Sequence, residues 1–154
     1  MGYAFLVAAP ERALLLECGV VDVRASTTAA ERLLAISKAL DELIRRHRPF
    51  VLAVERLYFN KNVQTAMRVS EARGVALLCA ARASLEIAEY TPQEVKISVT
   101  GNGRGDKKAV QRMLPLLVAI DAPITQDNVA DAVAIALTHA QRSHFGAAVE
   151  ASSR

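Results

Sequence analysis

The chain is poor in cysteine: of its 154 residues only Cys18 and Cys79 carry a thiol, and neither sits in a CxxC pair or beside a histidine at ligand spacing. That argues against a disulfide framework and against a zinc site, and it fits a reducing cytoplasm. Long apolar runs are missing as well. None approaches the roughly 18 uncharged residues that span a bilayer, so no membrane segment is expected. The opening Met-Gly-Tyr-Ala-Phe-Leu lacks a basic n-region and a convincing cleavage site, and reads as structure rather than as a signal peptide. Repeats, low-complexity blocks and internal linkers are absent too. Charge of one sign is only mildly in excess: a net +3 and a pI near 9.1 bias the chain toward polyanions without establishing a nucleic-acid partner.

What is present suits one globular domain with a core of its own, at 52% apolar residues. The domain is expected over residues 1–145, with a frayed tail over 146–154. Gly2 to Ala8 and Ala13 to Val23 read as a hairpin split at Ala9-Pro10-Glu11-Arg12. Thr28-Ala29-Ala30-Glu31 is a capping box opening a helix to about His47, which Pro49 prevents from continuing. Phe50 to Glu55 reads as a strand, Val63 to Ala83 as a second long helix, and Glu86 to Tyr90 as a strand. Thr91-Pro92-Gln93-Glu94 then starts a short helix through Ser98. Asp106 caps a helix from Lys107 that Pro115 should kink or end early, and a last helix runs from Asp127 or Asn128 to about Arg142. Strands and helices in this order predict an α/β layered domain with a mixed sheet.

Two places carry chemistry. The continuous apolar run Phe50 to Val54 suits a strand buried on both faces, and it ends in Glu55, followed by Tyr58, Phe59, Asn60, Lys61 and Asn62. Ligands of open α/β sheets collect at strand C-terminal ends. A carboxylate there can hold a cation beside a groove that stacks on bases, though a Glu that merely caps a strand has the same local sequence. Asp127 and Asn128 stand four and three residues before Asp131 on the last helix, so the three share one face and their oxygens can converge. Capping explains the first two equally well. Asp131, inside an apolar run, is harder to explain that way. Glu55 with Asp131 would supply the hard oxygen ligands that magnesium takes. The stretch GNGRGDKK (Gly101 to Lys108) looks like a phosphate cradle, but Lys107 is followed by Lys108 and the Walker pattern fails, which rejects an NTPase.

These residues together resemble the RuvC-type Holliday junction resolvases of the ribonuclease H-like superfamily. The likeness covers nearly the whole chain and rests on AVERLYFNKN (Ala53 to Asn62), ARGVAL (Ala72 to Leu77), YTPQEVKISVTGNGRGDK (Tyr90 to Lys107) and NVADAVAIALTHA (Asn128 to Ala140). It implies a homodimeric endonuclease that nicks two strands of like polarity across four-way junction DNA. It also implies two magnesium ions per active site, with manganese able to substitute, and a branch-migration motor complex as partner. By motif position, Glu55 and Asp131 resemble the family's metal-binding acids. Tyr58 resembles an aromatic that wedges between bases, with Phe59 beside it, and Lys96 and Lys107 resemble basic residues near the scissile phosphate. Lys61, Arg104 and Lys108 complete the expected DNA-binding set.

The chain departs from the family pattern in two ways. Three residues before Asp131 the family has a catalytic Asp or His. This chain has Asn128, a neutral oxygen ligand that cannot act as a carboxylate base, and Asp127 next to it is expected to compensate. The family also begins with a strand ending in an I-D-P-G motif whose Asp is the first metal ligand, whereas Gly2-Tyr3 already matches the strand after it. The resemblance places that strand between the hairpin and the Glu55 strand. Without it two long edges would be exposed and central packing lost. The expectation is therefore that Met1 is an internal start, and that these residues by themselves fold weakly and cleave little. Two rival readings stand beside the endonuclease: a catalytically silent junction-binding protein, favoured by Asn128 and the missing strand, and an enzyme of small phosphorylated metabolites.

Overall fold

The capping, proline and hairpin signals each find their element. In chain order these are β1 (Gly2–Val7), β2 (Ala13–Val20), α1 (Ala29–His47), β3 (Val51–Glu55), α2 (Val63–Arg82), β4 (Glu86–Tyr90), α3 (Pro92–Thr100), α4 (Lys107–Leu117), β5 (Val118–Ala119) and α5 (Asp127–Ser152). The computed structural model describes residues 1–9, 11–23, 28–56, 63–103, 105–120 and 123–152, with backbone only at 63–65 and 144–152. The chain divides into two compact units, Met1 with Val21–Glu89, and Gly2–Val20 with Tyr90–Arg154.

In the first unit α1 and α2 pack together, burying Ile36, Leu43, Ala76, Cys79 and Ala80. The Thr28 hydroxyl accepts from the Glu31 amide at 3.2 Å while the Glu31 carboxylate accepts from the Thr28 amide at 2.8 Å, satisfying two of the donors that a helix start leaves over. At the other end Arg48 takes a left-handed conformation (φ 46°), its amide donates to the Ile44 carbonyl, and Pro49 turns the chain into β3. Strands β3 and β4 pair with each other.

The second unit is built on an antiparallel hairpin, with β1 and β2 paired from Gly2 opposite Val20 to Val7 opposite Leu14 and the register shifting by one residue between Phe5 and Leu6. Strand β5 adds to β2 in parallel, Ala13 opposite Val118 and Leu14 opposite Ala119, so this sheet is mixed as expected. Helix α5 lies along β1 and β2, and α3 and α4 pack on it. Leu114, Val118, Val133, Leu137 and Thr138 are at most 2% exposed. Thr138 sits in that core without an orphan hydroxyl because its Oγ1 donates back to the Ala134 carbonyl at 2.8 Å.

The strands form two sheets, β1-β2-β5 and β3-β4, and among the described residues β1 pairs only with β2 and β3 only with β4. Three sequence expectations change. Strand β5 has no counterpart in the sequence reading, because two residues carry no periodicity. Pro115 does not end α4 at once: it lies in the last turn, and the helix closes two residues later at Leu117. Arg12 caps that end from the hairpin turn, its Nη2 donating to the Pro115 carbonyl at 2.6 Å and the Val118 carbonyl at 2.7 Å, both of which the helix leaves without internal partners. Finally, α5 continues past Arg142 to Ser152.

The second capping box sets a pH dependence. Glu94 accepts from the Thr91 amide at 2.8 Å and pairs with Arg142 at 2.9 Å. Chiefly the Thr91 amide, then the Thr91 hydroxyl and Arg142, hold its carboxyl down from 4.5 to about 2. A carboxyl with a depressed folded-state pKa stabilises above its unfolded value and loses that contribution as pH falls through the folded one. Replacing Glu94 by Ala should therefore cost about 1 kcal/mol at neutral pH. The gap between the two melting temperatures should stay constant down to about pH 4.5 and close toward pH 2, as thermal melts across that range would show.

Candidate active site

The sequence-predicted acids fall on the two units, and each is described within its own. In the first, Glu55 is the last residue of β3 and is exposed. Its backbone is fixed by Arg73 of α2, whose Nε donates to the Glu55 carbonyl at 3.3 Å and whose guanidinium pairs with Glu89 on β4. Arg56 faces the same Glu89 at 3.7 Å. The basic side chains of this stretch thus knit β3 to β4 around the end that carries Glu55. Tyr58, Phe59 and Lys61 lie outside the described residues, as does Arg104 in the second unit.

In the second unit the structure gathers a cluster at the first turn of α5. Asp127 and Asp131, one turn apart, both reach Lys107 at the start of α4: Lys107 Nζ is 3.2 Å from Asp127 Oδ2 and 3.4 Å from Asp131 Oδ2. One turn along α4, Gln111 Nε2 donates to Asp127 Oδ1 at 2.9 Å. Two residues at i, i+4 on one helix therefore meet two at i, i+4 on the other. Both oxygens of Asp127 are engaged with α4, so helix capping does not account for this residue. The Lys107 ammonium, with help from Gln111, holds the Asp127 carboxyl below its ordinary value, and hydrogen bonding to Asp127 in turn raises the Lys107 ammonium. All three charged groups are about half exposed or more, so each pair is weak.

The depth at which α5 sits is set from β1. A Cβ built on Gly2 would lie 2.0 Å from the Asn128 carbonyl oxygen and 2.5 Å from its carbon, and a backbone neighbour cannot turn aside as a flexible side chain can. Asn128 itself is exposed. Gly2 and Gln111 are the residues that reading the sequence missed. The i, i+4 spacing of Lys107 and Gln111 was a visible signal; the contact of Gly2 with a helix more than a hundred residues away was not.

Lys107 and Lys108 project from the exposed start of α4, capped by Asp106, whose Oδ1 accepts from the Ala109 amide at 2.7 Å. The preceding turn is compact. Gly101 is left-handed (φ 70°) and closes α3, and the Gly105 amide donates to the Asn102 carbonyl at 3.0 Å. Lys96 lies half-buried on α3.

Can these residues hold a metal? Among the described residues no group of three or more His, Cys, Asp and Glu is arranged as a ligand set. Asp127 and Asp131 nevertheless already gather around one cationic group, and two carboxylates completed by water and substrate phosphate are what magnesium usually takes from a protein. The donor set fits a hydrated hard cation.

A model of the family "Crossover junction endodeoxyribonuclease RuvC" matches residues 1–139. The chain belongs to the RuvC family. A RuvC of Pelotomaculum thermopropionicum is 45% identical over 139 residues, covering 90% of this chain and 85% of that protein. The Thermus thermophilus RuvC structure superposes with a TM-score of 0.85 at 30% identity, covering 94% of this chain and 89% of that one. Thermus RuvC in complex with a Holliday junction substrate gives 0.84 at 30% identity, covering 95% and 96%. The mixed α/β, ribonuclease H-like fold expected of a RuvC relative is therefore present.

The close approach at Gly2 yields a direct test. Gly2→Ala should force α5 away from β1 and lower stability by roughly 1–3 kcal/mol, the usual cost of overpacking, read from denaturant unfolding. An unchanged midpoint would mean that the contact is not held in solution.

Proposed function

We propose that this chain is a structure-selective endonuclease that resolves four-way (Holliday) junctions in recombination and repair by metal-dependent hydrolysis of phosphodiesters. The observation that carries the reading is the pair of carboxylates, Asp127 and Asp131, gathered on one cation-holding face of α5 in a chain 45% identical to a named crossover junction endodeoxyribonuclease.

In this reading Glu55 and Asp131 hold magnesium, two ions per site, with manganese able to substitute. Asn128 contributes a neutral oxygen and Asp127 the carboxylate that position 128 lacks. The metal, when bound, supplies an activated water and stabilises the leaving oxygen. The chain's own residues do the rest. Lys96, Lys107, Lys108, Arg104 and Lys61 neutralise backbone phosphates, which makes binding salt-dependent. Tyr58, with Phe59 beside it, stacks at the opened crossover, a contact contributing about 1–3 kcal/mol per base. Junction DNA is thus the substrate, and a branch-migration motor the partner that delivers it. The cytoplasm is the compartment; among the described residues no helix is long and apolar enough to cross a membrane.

A junction has two strands to cut, which calls for two active sites. Helix α2 offers a face for a second copy: Met67, Gly74 and Leu78 follow one another at seven- and four-residue spacing, Met67 and Leu78 are 59% and 58% exposed, and nothing lies within 4 Å of a Cβ on Gly74. Leu78→Glu should convert a dimer to monomer in sedimentation velocity. A dimer that persists would move the interface elsewhere.

The function is tested with the full chain on a synthetic four-way junction and a linear duplex of the same sequence. Paired nicks in junction alone, dependent on magnesium or manganese, are expected. Tight junction binding with no nicking in either metal would favour the silent binding protein that Asn128 suggests, and overturn the enzyme.

A further inference from the structure

Lys107 stands where two readings of it meet. As a basic residue near phosphate it should reach toward DNA, yet in this structure its ammonium lies 3.2 Å from Asp127 and 3.4 Å from Asp131. A divalent cation on the same two carboxylates repels the ammonium and competes with it for their charge. The pairs are exposed, so breaking them costs little. Gln111 differs from Lys107 in two respects: its amide is neutral, and it binds Asp127 through Oδ1, the oxygen that Lys107 does not use.

We propose that Lys107 is a removable internal cation of the metal site, and that Gln111 is the residue that keeps Asp127 in place when Lys107 leaves. Without metal, Lys107 neutralises Asp127 and Asp131 and ties α4 to α5. Metal binding displaces the ammonium, Gln111 retains its hold on Asp127 Oδ1, and the freed Lys107 becomes available to a DNA phosphate. Metal occupancy and phosphate contact are thereby coupled through one side chain. Gln111 is a positioning residue in this scheme and touches no reacting atom. The inference rests on the proposed role of Asp131 as a metal ligand.

The test uses the same full chain and manganese alone, titrated by calorimetry, with no DNA present. Lys107→Met and Lys107→Gln should each bind manganese about ten- to twentyfold more tightly, the effect of removing one unit charge about 5 Å from a divalent cation in a wet site. Gln111→Leu should bind several-fold more weakly, and Gln111→Asn should recover little because its amide is one methylene short. Charge removal alone would also tighten binding, so a second readout follows the side chain itself. In protein labelled with 13C at lysine Cε, the Lys107 resonance should move to the position of a solvated lysine as magnesium is added, with the midpoint of magnesium binding. A Lys107 resonance that does not move as magnesium saturates overturns the exchange, and so does unchanged or weaker manganese binding in both Lys107 variants. If Asp131→Asn binds manganese as well as the unsubstituted chain, the ligand assignment itself fails and the exchange with it. Loss of binding in Asp131→Asn without a shift of Lys107 removes the exchange alone.

Discussion

Helix α5 lies so close to β1 that position 2 has room for a hydrogen and for nothing larger. Much of the second unit follows from that approach. The close approach seats the first turn of α5 against the sheet, sends Val129, Val133 and Leu137 into the core, and leaves Asp127, Asn128 and Asp131 on the outer part of the same turn. A helix held this way presents its acids at a fixed depth. Were it free to slide, the carboxylates would move with it by distances that matter to metal coordination, where donors must lie within a few tenths of an ångström of their ideal positions.

The electrostatics around that turn are arranged for exchange rather than for stability. Each contact of Lys107 is long and wet, and together they hold the acids without burying them. A buried ion pair would have been harder to open, since separating it leaves a charge without solvent. The same contrast appears in the first unit, where Arg73, only 23% exposed, fixes the end of β3 and neutralises Glu89. There the cation is structural, and it holds Glu55 by the backbone carbonyl. Short-range charge thus serves two ends: permanent at Arg73, exchangeable at Lys107.

What the sequence disclosed was local. Both capping boxes, the Pro49 stop, the glycine-rich turn and the grouping of Asp127, Asn128 and Asp131 depend on residues three or four apart, and all are where the pattern put them. The RuvC likeness of the four motifs agrees with the family match over residues 1–139. What stayed hidden depends on distant partners. Arg12 caps a helix a hundred residues on, Gly2 fits against Asn128, and β5 is too short to announce itself. Lys107 was legible as a basic residue beside a phosphate-like turn. That it would be found on the acids instead could be seen only once α4 met α5.

Everything proposed for catalysis passes through Asp131, so the sharpest measurement is the single-turnover nicking of a bound four-way junction in magnesium by Asp131→Asn beside the unsubstituted protein. Removing a metal ligand should slow cleavage by about a hundredfold or more, beyond what loss of an outer-shell partner usually costs, while junction affinity is kept. Equal nicking rates would contradict the account at its centre.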